Sequence, residues 1–139
     1  MQRIVVGYDG SEHAQRALER GATLAKSTGA SLAVVSAAKV SALMRDPAGG
    51  ASPVDPADAE QRAKALEAAR SYLAGQGVAA DFVEGHGDPA DVLVQEAQDT
   101  GADLIVIGTR GLNVAERLLL GSVSTKVVHH APCDVLVVR

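Results

Sequence analysis

Hydrophobic residues gather in five short runs along the 139-residue chain, and helical patterns separate these runs. Most of the runs are continuous rather than alternating, which is typical of strands covered by helices on both faces of a parallel sheet. The third run is more polar, as expected of an edge strand. The predicted strands are 3–8, 31–38, 78–83, 103–107 and 133–138.

Helix start and stop signals occur between the runs. Ser11 is a predicted N-cap, and the helix that follows it should end at Gly29. The tetrapeptide DPAD, at 55–58 and 88–91, begins two further helices. Its first aspartate is a favourable N-cap, and its proline fits the first helical position.

Apolar and small residues at helical spacing predict which face of each helix packs on the sheet. In the first helix this face consists of Ala14, Ala17, Leu18, Gly21, Ala22 and Ala25. In the second helix it consists of Ala59, Ala63, Leu66 and Leu73. In the last helix it consists of Val123, Val127 and Val128.

Alternating strands and helices, at about 30 residues per unit, predict a right-handed, doubly wound α/β fold. With 47% apolar residues, positions 1–139 fit one compact domain with a hydrophobic core. Residues 39–55 interrupt the rhythm and are rich in Gly, Pro, Ser and Asp. We predict a flexible surface loop there.

Composition excludes several classes of function. The net charge of −4 gives no long-range attraction to nucleic acid or to an anionic membrane. Three aromatic residues cannot form a base-stacking platform. The single cysteine, Cys133, excludes an internal disulfide, and no apolar run is long enough to span a membrane. We therefore expect a cytoplasmic protein.

Two predicted strands end in glycine-containing turns, IVVGYDGS and IVIGTRG. In an open α/β sheet, ligands bind beyond the carboxyl ends of the strands, where the winding direction reverses. If the first and fourth strands are neighbours, five residues converge on one crevice. These are Gly7, Asp9, Gly10, Gly108 and Gly111.

The stretch Gly121–Ser124 precedes or opens the last helix and is a candidate phosphate site. A helix N-terminus offers unpaired N–H groups and a positive dipole end, so it binds phosphate without needing a lysine. The hydroxyl groups of Ser122 and Ser124 are further donors. Glycine at 121 would allow close approach of a ligand to the backbone.

A purely structural explanation of these residues is also open. Gly108 can relieve crowding between strand and loop, and Gly111 can fill a turn. Gly121 can end a short helix at 114–120, with Ser122 capping the next one. Asp9 can be a simple turn residue. The adjacent His129 and His130 do not form a metal-binding pair, and Cys133 should be a partly covered thiol.

The spacing Gly108-x2-Gly111-x9-Gly121-Ser122, together with VGYDGSEHA near the start and PCDVLVV near the end, resembles the universal stress protein family. The resemblance extends along the whole chain, and it is closest to the branch that binds adenine nucleotides. It implies a Rossmann-like parallel sheet in the order 3-2-1-4-5, with the first and fourth strands adjacent.

The resemblance also implies how residues of this chain contact a nucleotide. Asp9 would lie against the adenosine, and Gly7 with the backbone near Ala37 would wall the adenine. Ile107 and Gly108 would face the ribose and the nearby phosphate. Further along the phosphate path the implied residues are Arg110, Gly111, Gly121, Ser122, Val123 and Ser124.

One departure from the family pattern concerns the adenine wall. Ser36 and Ala37 stand where the family often carries a His-Val pair. The smaller side chain at Ala37 therefore bears on both the affinity and the selectivity for adenine.

These observations favour a nucleotide-responsive regulatory or stress-response module over an enzyme. No Walker B acid or general base accompanies Gly121–Ser124, although slow ATP hydrolysis stays an alternative. The expected ligand is ATP, with or without Mg²⁺. Cyclic AMP is a second candidate, and a nucleotide-independent interaction protein is a third. The family resemblance also implies a homodimer through the apolar strand at 133–138.

Overall fold

The structure is a computed structural model, and it describes residues 1–38, 56–109 and 121–139. The predicted loop at 39–55, with the N-cap Asp55, lies outside these residues. The same holds for Arg110, Gly111 and the short helix considered at 114–120.

The described residues form one parallel sheet in the order β3-β2-β1-β4-β5. This arrangement confirms the predicted fold, with β1 and β4 adjacent and in register at Val6 and Val106. The strands are β1 (Arg3–Gly7), β2 (Ser31–Ala38), β3 (Ala80–His86), β4 (Leu104–Gly108) and β5 (Asp134–Val138).

Helices cover both faces of the sheet. One core cluster joins the sheet to the first two helices, and a second joins it to the last two. The helices are α1 (Glu12–Thr28), α2 (Pro56–Gly75), α3 (Pro89–Thr100) and α4 (Ser122–His130).

The local signals at the helix ends account for where α1 and α3 begin and end. Ser11 caps α1 by accepting a hydrogen bond from the Ala14 amide over 3.1 Å. Asp88 caps α3 in the same way, with Oδ1 2.9 Å from the Ala90 nitrogen. Gly29 ends α1 at a φ of 74°, in the left-handed region that glycine tolerates best.

The predicted third strand, 78–83, is displaced from the observed one. β3 continues to His86 because it stays paired with β2, where Gly85 lies opposite Ala37. Its outer position in the sheet tolerates the polar residues that ended the apolar run.

Two predicted helix faces also need correction. All six residues predicted for α1 are buried, but in α2 Ala59 and Ala63 are exposed. At about 1.5 Å per residue, α2 is longer than the strands it packs on, and its buried residues, Leu66, Ala69 and Leu73, all lie in its second half. In α4 Val128 is 48% exposed, because it lies about 100° around the helix from the buried Val127.

Candidate functional site

Gly7 and Gly108 end the adjacent strands β1 and β4, at the edge of the sheet where a ligand crevice is expected. Each glycine is closely covered by protein. A Cβ on Gly7 would lie 2.9 Å from Leu93 Cδ1. A Cβ on Gly108 would lie 2.7 Å from the backbone carbonyl carbon of His13. Both glycines therefore have a packing role. The structural explanation predicted relief of crowding at Gly108, although the crowding atoms belong to α1 rather than to a loop, and it made no prediction for Gly7.

Gly108 and Thr109 hold the beginning of α4 through their carbonyl groups. Ser124 Oγ donates to the Gly108 oxygen over 2.7 Å and lies 3.2 Å from the Thr109 oxygen. The Gly121 amide donates to the Thr109 oxygen over 2.6 Å. The first turn of α4 is thus fixed directly to the end of β4.

Thr109 is itself held from two further directions. Its amide donates to the Val138 oxygen over 3.0 Å, which extends the contact between β4 and β5. Its side-chain Oγ1 lies 2.8 Å from His13 Nδ1 in the first turn of α1. Thr109 is 6% exposed, and its hydroxyl is satisfied by this bond.

The N-terminus of α4 differs from those of α1 and α3. Gly121 is its N-cap, with extended backbone at φ −73°, so the alternative that Ser122 is the cap is wrong. Within the described part of the chain, no side chain caps α4, and its first turn carries no acidic residue. By contrast, α1 and α3 have capping side chains and acidic first turns. The positive end of the α4 dipole is left uncompensated by carboxylates of its own turn.

The four residues predicted to clasp phosphate take different positions. Gly121 and Ser124 are buried, Val123 is half-buried and Ser122 is exposed. A hydroxyl group has one proton, and that of Ser124 is donated to a carbonyl group of β4. Ser122 therefore offers the accessible hydroxyl, and Ser124 fixes the helix.

Asp9 lies in the turn between β1 and α1. Its Oδ1 accepts a hydrogen bond from the Ser11 amide over 2.9 Å, and the residue is exposed. This bond is the turn role that the sequence allowed. Burial is the larger cause that raises the pKa of Tyr8, and the negative charge of Asp9 raises it further.

The remaining predicted residues lie in or near the strands. Ala37 is half-buried in β2, opposite Gly85 of β3. Ile107 is buried in β4, and its side chain covers Gly7. The structure therefore brings Gly7, Ile107 and Gly108 together at the carboxyl ends of the neighbouring central strands β1 and β4.

Lys126 was not anticipated from the sequence. Its Nζ lies 3.0 Å from Asp91 Oδ1 and 3.6 Å from Asp88 Oδ2, so it joins α4 to the first turn of α3. The bond to Asp91 is the main cause that raises the pKa of Lys126. The DPAD motif marked these aspartates as helix starters, but sequence gives no sign of a partner 35 positions after Asp91.

Cys133 is a half-buried free thiol, which confirms the prediction of a partly covered side chain. Burial is the first cause that raises its pKa, followed by the charges of Asp134 and Asp103. Over the three described ranges, no three His, Cys, Asp or Glu side chains are grouped as a metal site would require. No helix in these ranges is long and apolar enough to cross a membrane.

An open parallel α/β sheet, with a helix N-terminus fixed at the carboxyl end of its central strands, defines a known class of ligand-binding folds. The sequence model described as "Universal stress protein family" matches residues 1–139. This chain belongs to the universal stress protein family.

Individual relatives agree along nearly the whole chain. A universal stress protein of Thermus aquaticus is 41% identical over 138 residues, covering 98% of this chain and 97% of the relative. A universal stress protein solved in complex with cAMP is 30% identical, with a TM-score of 0.73, and covers 99% of this chain and 96% of that one. The Archaeoglobus fulgidus protein solved in complex with dAMP is 26% identical, with a TM-score of 0.74, and covers 100% and 98%.

Proposed function

We propose that this universal stress protein binds an adenine nucleotide, with ATP as the preferred ligand. The carrying observation is the N-terminus of α4, which lies at the carboxyl end of β4 without a capping side chain or an acidic residue in its turn. Relatives that were solved with cAMP and with dAMP support a nucleotide as the occupant.

The phosphate groups would lie at the first turn of α4. The backbone N–H groups of Ser122 and Val123 and the exposed Ser122 hydroxyl are the donors in this proposal. Ser124 contributes by its bond to Gly108, which fixes the direction of the helix. Gly121 keeps the approach to these donors free of a side chain.

The nucleoside would lie along the ends of β1, β2 and β4. Asp9 contacts the adenosine in this proposal, while its Oδ1 also holds the turn at Ser11. The other residues proposed on the ligand path are Gly7, Ala37, Ile107, Gly108, Arg110 and Gly111, of which Arg110 and Gly111 lie outside the described residues.

The bound nucleotide is proposed to act as a regulatory signal in a stress response rather than as a substrate, with hydrolysis slow or absent. The first turn of α4 carries no acidic residue that could orient water. In this proposal, phosphate oxygens and water supply most of the ligands of any Mg²⁺ that arrives with ATP.

Cyclic AMP is the second candidate ligand. The observation in its favour is the relative solved with cAMP, which is 30% identical to this chain. One phosphate group would then occupy the α4 N-terminus, so the same variants test both ligands.

The proposed assembly is a homodimer through β5. The outer edges of the sheet differ, since β3 exposes Asp81, Glu84 and His86 while β5 consists of apolar residues after Asp134. Charged residues discourage pairing at a sheet edge, whereas an apolar edge invites it.

The decisive test replaces Ser122 by aspartate. A carboxylate at the first helical position stabilises a helix by about 0.3–1 kcal/mol, but it repels phosphate. We expect Ser122→Asp to raise the free energy of unfolding slightly while ATP affinity falls roughly tenfold or more. Adenosine, which has no phosphate, should bind both proteins equally. Calorimetric titration of nucleotide-free protein with ATP, AMP, cAMP and adenosine measures these affinities.

The matched control is Ser71→Asp, which adds the same charge at an exposed position of α2. It should leave every affinity unchanged. Equal loss of ATP affinity in both variants would mean that net charge, and not the α4 N-terminus, governs binding. A wild type that binds none of the four ligands would refute the proposed function.

A further inference from the structure

His13 contacts the end of β4 in two ways. Its backbone lies so close to Gly108 that a Cβ there would be 2.8 Å from the His13 carbonyl oxygen. Its side-chain Nδ1 lies 2.8 Å from Thr109 Oγ1. The first turn of α1 therefore restrains both residues that receive hydrogen bonds from α4.

Thr109 relays this restraint to α4. Its side chain bonds to His13, and its carbonyl oxygen accepts the Gly121 amide over 2.6 Å. The same oxygen lies 3.2 Å from Ser124 Oγ. A rotation of Thr109 would move the acceptor that fixes the N-cap of α4.

We infer that His13 is a positioning residue that orients the N-terminus of α4 through Thr109. The expected effect on phosphate binding rests on the proposed nucleotide site. The positioning of α4 by His13 through Thr109 does not need a bound ligand. The side-chain bond of His13 Nδ1 ends on Thr109 Oγ1, which fixes the residue through which His13 acts.

The hydrogen bond can form with either neutral tautomer of the imidazole. The threonine hydroxyl can donate to an unprotonated Nδ1 or accept from a protonated one. Replacement by asparagine should preserve the bond, because Asn Oδ1 and His Nδ1 are both attached to Cγ. His13→Ala and Thr109→Val each remove it, the second with little change in volume.

The first measurement uses protein without ligand. Hydrogen exchange of the Gly121 amide, followed by NMR, should be about fivefold faster in His13→Ala and Thr109→Val, the equivalent of one lost hydrogen bond. It should return to the wild-type rate in His13→Asn. The double variant should exchange no faster than either single variant, since both remove the same bond.

The second measurement compares ligands with and without phosphate. AMP affinity should fall about fivefold in His13→Ala and in Thr109→Val, and adenosine affinity should stay within about twofold of wild type. The matched control is Gln15→Ala, which removes a side-chain bond to Tyr8 Oη from the same helix. It should change neither AMP affinity nor Gly121 exchange.

The outcomes separate this inference from the proposed function. Unchanged Gly121 exchange in both variants overturns the positioning role, whatever the protein binds. Equal loss of AMP and adenosine affinity also overturns it, because general destabilisation would then explain the change. A third outcome combines faster Gly121 exchange in His13→Ala, a wild-type rate in His13→Asn, and a wild-type protein that binds no nucleotide. It would uphold the positioning role and refute the proposed function.

Discussion

Ser124 Oγ lies 2.7 Å from the carbonyl oxygen of Gly108, so one short hydrogen bond joins the first turn of α4 to the last residue of β4. Ser124 is 3% exposed, whereas Ser122, two residues earlier, is exposed to solvent. The two serines of the GSVS stretch therefore differ in the role available to their hydroxyl groups. One supports the fold, and the other is accessible to a ligand.

Ser124→Ala should lower the free energy of unfolding by about 1–2 kcal/mol, because the carbonyl oxygens of Gly108 and Thr109 lose a donor. Ser122→Ala is the comparison, and it should change stability by less than about 0.5 kcal/mol as an exposed substitution. Urea denaturation of both proteins measures the difference. Equal stability of the two variants would contradict the assigned roles.

Gly108→Ala should destabilise the protein by about 1–3 kcal/mol, because the added methyl group meets backbone atoms of His13 that cannot rotate away. Gly75→Ala, at the end of α2, has no atom within 4 Å of the added carbon and no positive φ. It should be neutral or stabilising by up to about 1 kcal/mol. Thermal unfolding of the two alanine variants tests the contrast, and a harmless change at 108 would show that the close approach of α1 is not rigid.

The ionised carboxylate of Asp103 should contribute to the free energy of unfolding near neutral pH and lose this contribution in acid. Hydrogen bonds from the Gln2 and Arg3 amides hold the pKa of Asp103 below its ordinary value of 3.8. Its contribution is therefore present above pH 3.8 and lost as the pH falls through the lower, folded-state pKa.

The matched pair for this prediction is Asp103→Asn and Asp99→Asn, the second on the surface of α3. Urea midpoints should show Asp103→Asn less stable than the wild type near neutral pH. In acid, the midpoints of Asp103→Asn and the wild type should converge. A constant difference down to the folded-state pKa and below would mean that the charge of Asp103 is not what the amides stabilise.

Val137→Pro should weaken the proposed dimer, because proline removes a backbone donor from β5 and disfavours strand pairing. Glu84→Pro places the same residue in the opposite edge strand, β3, and should leave association unchanged. Sedimentation velocity measures both, after circular dichroism has shown that each variant is folded. A Val137→Pro protein that still sediments as a dimer would place the interface elsewhere.

The sequence predicted the order of elements and the caps of α1 and α3, because those features depend on local chemistry. Ser11, Asp88 and Gly29 act within a few residues of themselves, so their neighbours alone are informative. The end of the outer strand β3 could not be predicted in this way. β3 reaches His86 because β2 supplies a partner, and no periodicity within β3 reports that partner.

The sequence indicated the glycines of the candidate site, but it did not indicate the residues that hold the N-terminus of α4 in place. Glycine spacing pointed to Gly108 and Gly121, but His13 and Thr109 are 96 positions apart and belong to no shared pattern. Likewise, alanine at 59 and 63 looked apolar enough for the core. Because alanine is small and a good helix former, it is equally favourable on the exposed first half of α2.

The hydrogen bond from the Gly121 amide to the Thr109 oxygen brings two chain positions together across eleven intervening residues. The two ends of the intervening segment, Thr109 and Gly121, therefore lie side by side, so β4 and α4 do not require a particular length of chain between them. For any chain segment without internal structure, each doubling of its length adds only about 0.6 kcal/mol to the free energy of bringing its ends together. Insertions and deletions between Thr109 and Gly121 are therefore compatible with the same arrangement of β4 and α4.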